Sequence, residues 1–147
     1  NTNILKLSSN WWKAQIGYVP QNSELINSSI NDNILLANEK LNQQEISRLL
    51  ETVGLGDNIK KTNLSFTDII HENLSKGFKK KVHYARILSM NPQIYIFDEP
   101  FGDMDKNGKK MAMKLLTSLK NSNKTLITLT DDSLIEEISD KAFRLGD

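Results

Sequence analysis

Short apolar runs and helix-like spacings of apolar residues alternate along the chain. The run at residues 16–19 is stopped by a proline and followed by polar residues, which predicts a strand leading into a loop. Residues 29–37 and 43–53 place apolar side chains at helical spacing, and Gly54 follows the second segment as a stop signal. Two neighbouring helices are therefore predicted, followed by a polar stretch at 57–73 that we interpret mostly as loop or short helix.

The second half of the chain has the pattern of a parallel α/β sheet. Ser75 is expected to cap a helix at about residues 77–90. The β-prone run at 93–97 lacks the alternation of a half-exposed strand, which predicts a buried parallel strand ending at Asp98. Strands and helices that alternate in this way form parallel sheets with short connections. The remaining predicted elements are a helix at 109–120, a strand at 125–130, a helix near 133–139 and a short strand at 142–145.

Composition narrows the classes of function. The 147 residues include 19 basic and 18 acidic side chains, so the net charge of +1 gives no general attraction to nucleic acid or to an anionic membrane. The absence of cysteine excludes a disulfide framework and a thiolate metal site. No apolar run approaches the roughly 18 to 20 residues that span a bilayer. Any membrane association is therefore expected to come through a partner.

Two adjacent carboxylates directly follow the predicted buried strand, in the segment Ile94-Tyr95-Ile96-Phe97-Asp98-Glu99-Pro100. Ligands of α/β sheets bind at this end of the strands. Mg²⁺ prefers hard oxygen ligands, so one carboxylate can hold the ion while its neighbour orients or deprotonates an attacking water. The pair suits nucleotide hydrolysis. A solvent-exposed acidic turn after a strand would have the same residues, so the pair alone does not decide between them.

A second candidate site lies at the start of the helix that precedes this strand, in Asn73-Leu74-Ser75-Lys76-Gly77-Phe78. A serine N-cap, together with a glycine that permits close backbone approach, leaves free N–H donors that attract phosphate. An ordinary capped helix has the same appearance, because serine caps are common. The other motifs of the chain are therefore needed to decide whether this segment binds phosphate.

Together these segments resemble an ATP-binding cassette (ABC) domain of the exporter type. The resemblance spans about residues 12–147, and its motifs stand in the family's order and approximate spacing. The similar segments are, in chain order, Trp12-Lys13-Ala14-Gln15-Ile16-Gly17-Tyr18-Val19-Pro20-Gln21 (Q-loop), Ser29-Ile30-Asn31-Asp32-Asn33-Ile34 ("S-I-x-E-N-I"), Asn73 to Gly77 (signature "N-L-S-G-G-Q"), Ala85-Arg86-Ile87-Leu88 ("A-R-A-L"), Asp98-Glu99-Pro100 (Walker B), Met104-Asp105 (D-loop) and Thr130-Asp131 (switch position).

The resemblance implies an α/β fold that contains part of the parallel-sheet core of P-loop NTPases, with an inserted helical lobe. All 147 residues are expected to form one partial ABC ATP-binding domain. We expect the helical lobe at about residues 26–92, and the α/β core at residues 12–25 and 93–147.

The resemblance also implies the catalytic and metal-binding residues. Gln21 is expected to sense the γ-phosphate and magnesium and to couple to the membrane domain. Asp98 is expected to support magnesium, and Glu99 to polarise the attacking water. Asp131 takes the position of the family's switch histidine.

The nucleotide-binding residues are implied in the same way. Ser75 and Gly77 are expected to contact the γ-phosphate of a nucleotide held by an opposite ABC domain, because two such domains pack head to tail in this family. Lys76 and Asp105 belong to the same expected nucleotide-binding set, from the signature and the D-loop. The implied cofactors are ATP and Mg²⁺.

Several departures from the family pattern weaken the expected ATPase activity. No G-x-x-x-x-G-K-[ST] loop, which cradles the phosphates, occurs in the 147 residues, and the chain is expected to begin after that loop. Lys76 and Phe78 stand where the signature has Gly and Gln. Lysine attracts phosphate, but its side chain obstructs the close approach that glycine permits. Asp131 adds negative charge beside the γ-phosphate where the family has a histidine donor, so hydrolysis is expected to be impaired.

Three functions remain open from the sequence. The first is the energy-coupling domain of an ABC exporter, bound to a transmembrane domain at the cytoplasmic face of a membrane and paired with a second ABC domain. The second is a catalytically weak regulatory or dimerisation domain, for which the three departures at residues 76, 78 and 131 argue, and against which the retained Glu99 argues. The third is a nucleic-acid-binding module built on the basic run at residues 76–81. We expect no nucleic-acid partner, because a charge run is usually a solvated face.

Overall fold

The computed structural model describes residues 8–56, 67 and 74–144. Within these residues, helices alternate with strands as the sequence predicts. In chain order the elements are α1 (Ser9–Ala14), β1 (Ile16–Val19), α2 (Ile30–Leu35), α3 (Gln43–Thr52), α4 (Lys76–Met90), β2 (Ile94–Asp98), α5 (Lys106–Asn121), β3 (Thr125–Leu129) and a 3₁₀ helix (Ser133–Ile138).

The three described strands form one parallel sheet in the order β1-β2-β3. Val19 pairs with Phe97, which in turn pairs with Thr128. Parallel neighbours need long crossovers, and the segment that contains α2 to α4 supplies the first while α5 supplies the second. Because all three strands run in one direction, their carboxyl ends meet at one edge of the sheet. This confirms the predicted parallel α/β fold.

One face of the sheet forms the core against α4 and α5. Val19, Tyr95 and Phe97 are at most 2% exposed. The Phe97 ring meets the Tyr84 ring of α4 edge-on at 5.6 Å between centroids, a favoured aromatic geometry. Buried side chains of α5 lie at helical spacing on one side of that helix, as an amphipathic helix requires; they are Ala112, Leu115, Leu116 and Leu119.

The opposite face of the sheet is much more exposed. Tyr18, Ile127 and Leu129 are 48%, 48% and 46% exposed, and Ile94 and Ile96 are only partly buried. The sequence predicted that β2 would be buried on both faces, and this expectation is wrong for the described residues. An uninterrupted apolar run shows only that a strand has apolar side chains on both faces. Burial also requires a second element to pack on each face.

Residues before α4 form a compact group of helices. Ser29 and Asn42 cap α2 and α3 with reciprocal capping boxes. Both helices pack against α4. The buried Asn33 side chain hydrogen-bonds the backbone of Ile26 and Ser29, and Arg86 of α4 donates to its side chain and to its carbonyl. This polar contact fixes α2 on α4, since a buried amide is stable only when it is hydrogen-bonded.

The remaining element predictions have mixed outcomes. The helices predicted at 29–37, 43–53 and 109–120 appear with slightly different bounds, and the helix near 133–139 is a 3₁₀ helix. The strand predicted at 142–145 is wrong, because residues 141–144 form no strand and Phe143 is 83% exposed. A short apolar stretch does not become a strand without a neighbouring strand to satisfy its backbone. Leu145 and most of the polar stretch at 57–73 lie outside the described residues.

Candidate functional site

The candidate chemistry gathers at the carboxyl edge of the sheet. Asp98 is the last residue of β2, Gln21 follows β1 by two residues, and Asp131 follows β3 by two residues. The Glu99 N–H donates to the Leu129 carbonyl at 2.9 Å, so the β2–β3 pairing continues one residue past the strand. The structure therefore places these predicted site residues on the same edge, as expected from parallel strands.

The Glu99 carboxylate is held at the end of β3. Its Oε2 accepts a hydrogen bond from the Thr130 hydroxyl at 3.2 Å, and the Thr130 oxygen accepts from the Asp132 N–H at 3.1 Å. The backbone of Glu99 is left-handed, with φ at 49°. A non-glycine residue rarely adopts this conformation, and such residues occur often at functional sites because the surrounding structure has to fix them.

Asp98 is held from the other side, by β1. The Tyr18 hydroxyl reaches diagonally across the strand pair and donates to Asp98 Oδ2 at 3.2 Å. Desolvation raises the pKa of Tyr18, and the hydrogen bond to Asp98 and its negative charge raise it further. Tyr18 therefore remains a donor at neutral pH, and it orients the carboxylate without neutralising it.

The carboxylate oxygens of Asp98 and Glu99 would suit a magnesium ion that is also bound by a nucleotide. Mg²⁺ commonly takes one or two protein carboxylates and fills its other positions with water and phosphate oxygens. Asp98 and Glu99 would supply such oxygens at the sheet edge. Among the described residues no group of three or more His, Cys, Asp or Glu side chains is placed so that it could hold a metal ion.

The start of α4 lies against the loop that follows Glu99. Ser75 caps the helix, and its hydroxyl accepts the Phe78 N–H at 3.2 Å. A Cβ on Gly77 would lie 2.6 Å from the Asp103 carbonyl oxygen, so only glycine permits this approach. Lys76 Nζ is 3.9 Å from the Asp103 carboxylate, but this pair is exposed and contributes little stability. The signature-like segment and the two carboxylates are thus joined through one loop.

Three other predicted site residues make no hydrogen bond to Asp98 or Glu99. Gln21 and Asp131 are exposed, and their side chains form no hydrogen bond within the described part of the chain. Asp105 caps α5, where its Oδ1 accepts the Gly108 N–H at 2.7 Å. The proposed roles of these three residues in nucleotide binding remain predictions.

Sequence reasoning missed several residues that hold the site. In the sequence Tyr18 is only one residue of a motif, although its position two pairs before Asp98 in the β1–β2 register is the signal for a diagonal contact. Lys80 belongs to a basic run in the sequence, yet it is 1% exposed and donates to the Glu99 carbonyl at 2.7 Å. Its spacing of three residues from Gly77 places both on one helix face.

His83 is a residue of α4 whose side chain faces β1. Its Nε2 is 3.2 Å from the Tyr18 carbonyl, and its buried Nδ1 has no partner among the described residues. Burial, with the positive charge of Arg86 as a second cause, lowers the pKa of His83 to about 4. The imidazole is therefore neutral at physiological pH, with the Nε2–H donating to Tyr18.

Comparison with protein families agrees with this geometry. The model of the family described as "ABC transporter" matches residues 1–102. This match covers more than half of the chain.

The chain belongs to the ABC transporter family.

Relatives and solved structures place it among the family's ATP-binding domains. It is 32% identical over 122 residues to the alpha-hemolysin translocation ATP-binding protein HlyB of Escherichia coli O157:H7, covering 81% of this chain and 17% of that protein. It is 34% identical over 125 residues to the energy-coupling factor transporter ATP-binding protein EcfA of Malacoplasma penetrans (strain HF-2), covering 82% of this chain and 42% of EcfA. The chain thus spans less than half the length of these relatives.

A solved structure gives the same result for the fold. It is titled "Structure of a bacterial Atm1-family ABC exporter with ATP bound", and it matches 85% of this chain and 22% of its own with a TM-score of 0.78 and 26% identity. The chain has the sequence and fold of an ABC ATP-binding domain of exporter-type transporters, with part of the P-loop NTPase core. ABC ATP-binding domains act with ATP, Mg²⁺ and a transmembrane domain. Among its described residues, this ABC domain has no helix of the length and apolarity needed to cross a bilayer.

Proposed function

We propose that the chain is the energy-coupling ATP-binding domain of an ABC exporter, in which Asp98 supports magnesium and Glu99 polarises the attacking water. The observation that carries the proposal is the convergence of Tyr18, Asp98, Glu99 and Thr130 at one sheet edge through hydrogen bonds. Phosphoryl transfer depends mainly on positioning and charge stabilisation, and this edge supplies fixed carboxylates for both.

The proposal extends to the nucleotide and to a second ABC domain. Ser75, Lys76 and Gly77 would face the γ-phosphate of ATP held by that second domain, with Gln21 and Asp105 near the same interface. The free N–H groups at the start of α4, a 15-residue helix, support this assignment because a helix N-terminus attracts phosphate. In this head-to-tail arrangement, the phosphate-binding loop of the second domain would hold the nucleotide that Ser75 and Gly77 contact.

The proposal also assigns two parts of the chain to the transporter. Residues 26–92 would form the helical lobe, and residues 12–25 and 93–147 the α/β core. The packing of α2 and α3 on α4 supports the lobe. An open concavity of about 670 Å³, lined by Asp32 and residues 35–40 and including the 60% exposed Leu36, would be available to a transmembrane domain at the cytoplasmic face of a membrane.

A titration with Mg-ATP tests the proposal on the chain itself. We expect weak binding and negligible hydrolysis, because the cradle for the phosphates is absent from these residues. NMR shift changes should be confined to the sheet edge and the start of α4. They should shrink strongly in Asp98→Asn and persist in the control Glu137→Gln, which alters an exposed carboxylate elsewhere.

Two results would contradict the proposal. Shift changes that are absent, or that persist in Asp98→Asn, would remove Asp98 and the sheet edge from nucleotide binding. Calorimetric affinity in the micromolar range, about −8 kcal/mol, would mean that the remaining residues bind phosphates without the missing loop.

A second candidate function is a catalytically weak regulatory domain that dimerises with an active ABC partner. Asp131 favours it, because a carboxylate at the switch position adds negative charge beside the γ-phosphate. In a dimer with an active partner, Glu99→Gln separates the two candidates. A marked loss of ATP hydrolysis supports the energy-coupling function, and unchanged hydrolysis supports the regulatory one.

A further inference from the structure

Lys80 is a charged side chain in the interior of the domain. It is 1% exposed and lies on α4, three residues after Gly77 and four before Tyr84. This spacing puts all three residues on one face of the helix. A buried ammonium is costly unless it is hydrogen-bonded or paired with opposite charge, so its partners indicate why it is tolerated.

The partners of this helix face all belong to the turn that follows β2. Lys80 Nζ donates to the Glu99 carbonyl at 2.7 Å, and the Tyr84 hydroxyl donates to the Pro100 carbonyl at 2.6 Å. Gly77 packs directly against the Asp103 carbonyl. One face of α4 therefore contacts both ends of the turn and its second residue.

The turn needs such support. Glu99 and Asp103 both have left-handed backbones, with φ at 49° and 60°. This conformation is unfavourable for residues with side chains and persists only where surrounding contacts fix it. The Glu99 carbonyl also accepts the Gly102 N–H at 3.0 Å, so it is the atom that closes the turn. Lys80 donates to that same atom.

Negative charges near Lys80 favour its ammonium form, which donates to the Glu99 carbonyl. Burial lowers the pKa of Lys80, while the negative charges of Asp103, Glu99 and Asp98 raise it, so the carboxylates oppose the effect of burial. A Cβ on Gly102 would lie 3.2 Å from Lys80 Nζ, which leaves little room for a side chain at residue 102.

We propose that Lys80 is a positioning residue for Glu99. Its ammonium fixes the Glu99 peptide in the left-handed conformation, and this directs the Glu99 carboxylate toward Thr130 at the sheet edge. The inference rests on the proposed function in one respect, namely that Glu99 polarises the attacking water. Lys80 itself touches neither nucleotide nor water in this scheme and acts through Glu99.

The absence of cysteine from the sequence permits a matched test. In Lys80→Cys, the introduced thiol is alkylated in denaturant with 2-bromoethylamine, which restores an amine of nearly the same length, and the chain is refolded. Lys81→Cys, treated in the same way, is the control, because the Lys81 side chain makes no hydrogen bond or ion pair with the described residues. NMR reports the Glu99 carbonyl and carboxyl ¹³C shifts and the exchange rate of the Gly102 amide.

Without alkylation, we expect Lys80→Cys to move both Glu99 shifts and to speed Gly102 exchange about tenfold, as the loss of one charge-assisted hydrogen bond implies. Aminoethylation should restore the shifts and the exchange rate. Neither form of Lys81→Cys should change them. Unchanged Glu99 shifts and Gly102 exchange in unalkylated Lys80→Cys would overturn the proposal, and so would a change that aminoethylation fails to reverse.

A measurement on the unaltered chain covers the case in which the variant does not refold. With ¹⁵N-labelled lysine, the Lys80 ammonium should give a slowly exchanging signal with cross-peaks to Gly102, and the absence of that signal would overturn the proposal. Mg-ATP added to the same sample separates this inference from the proposed function. Failure of Mg-ATP to shift the sheet-edge signals contradicts the proposed function, whereas the cysteine variants decide the role of Lys80 alone.

Discussion

The two faces of the sheet are made by the same three strands and have very different surroundings. On one face, Val19, Tyr95 and Phe97 are at most 2% exposed beneath α4 and α5. On the other face, Ile127 and Leu129 remain nearly half exposed. The side chains are similarly apolar on both faces, so their hydrophobicity does not account for the difference.

What differs is the presence of covering helices. The helices α4 and α5 connect consecutive strands and pack on the same side of the sheet, so local chain connections complete one face without any other part of the protein. The second face needs a covering element from outside the described residues or from another molecule. Burial of apolar area stabilises by about 25 cal/mol per Å², so this face has a strong tendency to become covered.

The largest expected change in the free energy of unfolding comes from a substitution on the covered face of the sheet. Phe97→Ala should lower the free energy of unfolding by about 3–5 kcal/mol, because it leaves a cavity between Tyr84 and Tyr95. The matched change on the open face, Ile127→Ala, should cost less than about 1 kcal/mol. Chemical denaturation of both variants measures the difference. Equal losses would mean that the open face is also buried in solution.

The next largest change in stability is expected from the titration of His83 in α4. The pKa of His83 is about 4 in the folded chain, below its ordinary 6.5, so in this interval the unfolded chain binds a proton that the folded chain does not. Stability should therefore fall as the pH is lowered from about 6.5 to about 4, with a His83 contribution of about 3 kcal/mol.

Denaturation at a series of pH values in the wild type and in His83→Gln checks this contribution. Glutamine can donate to the Tyr18 carbonyl and does not titrate, so the difference between the two chains isolates the histidine from the carboxylates. Parallel curves for the two chains over this range would show that His83 is solvated and that α4 covers β1 less closely than the structure indicates.

The smallest change in stability, within about 0.5 kcal/mol, is expected from Ile127→Thr with Leu129→Thr. The property that we expect to change is self-association of the chain. The wild-type chain should self-associate, because among its described residues it offers an apolar face and a β3 edge that pairs with no further strand, and the double variant should do so less. Light scattering measures this, with Leu36→Thr as a control at an exposed leucine outside the sheet. A monodisperse wild-type monomer with a cooperative melt would contradict the prediction.

The sequence predicted those parts of the fold and site that depend on local rules. Ser75 caps α4, and Asp98 ends a parallel strand, because caps and strand ends have recognisable residue patterns. The resemblance to ABC domains added the order of the motifs. Together these were enough to bring Asp98 and Glu99 to the carboxyl edge of the sheet.

The parts that could not be predicted depend on contacts between distant segments. Lys80 lies in a run of lysines, and only the position of the turn after β2 shows which of them is buried. Phe143 has the character of a strand residue but has no partner strand among the described residues. The open face of β2 was missed for the same reason, since its burial depends on elements far from it in sequence.

The parallel register also has a consequence for how this sequence can change during evolution. Val19, Phe97 and Thr128 are paired across the sheet, and successive residues of a strand point to opposite faces. Removal or addition of one residue within a strand would reverse every following side chain and turn Asp98 or its neighbours away from their partners. Substitutions can accumulate at exposed open-face positions outside the site, such as Ile127, whereas Tyr18 and Asp98 on that face are constrained by their hydrogen bond. Changes in length are expected only in the loops.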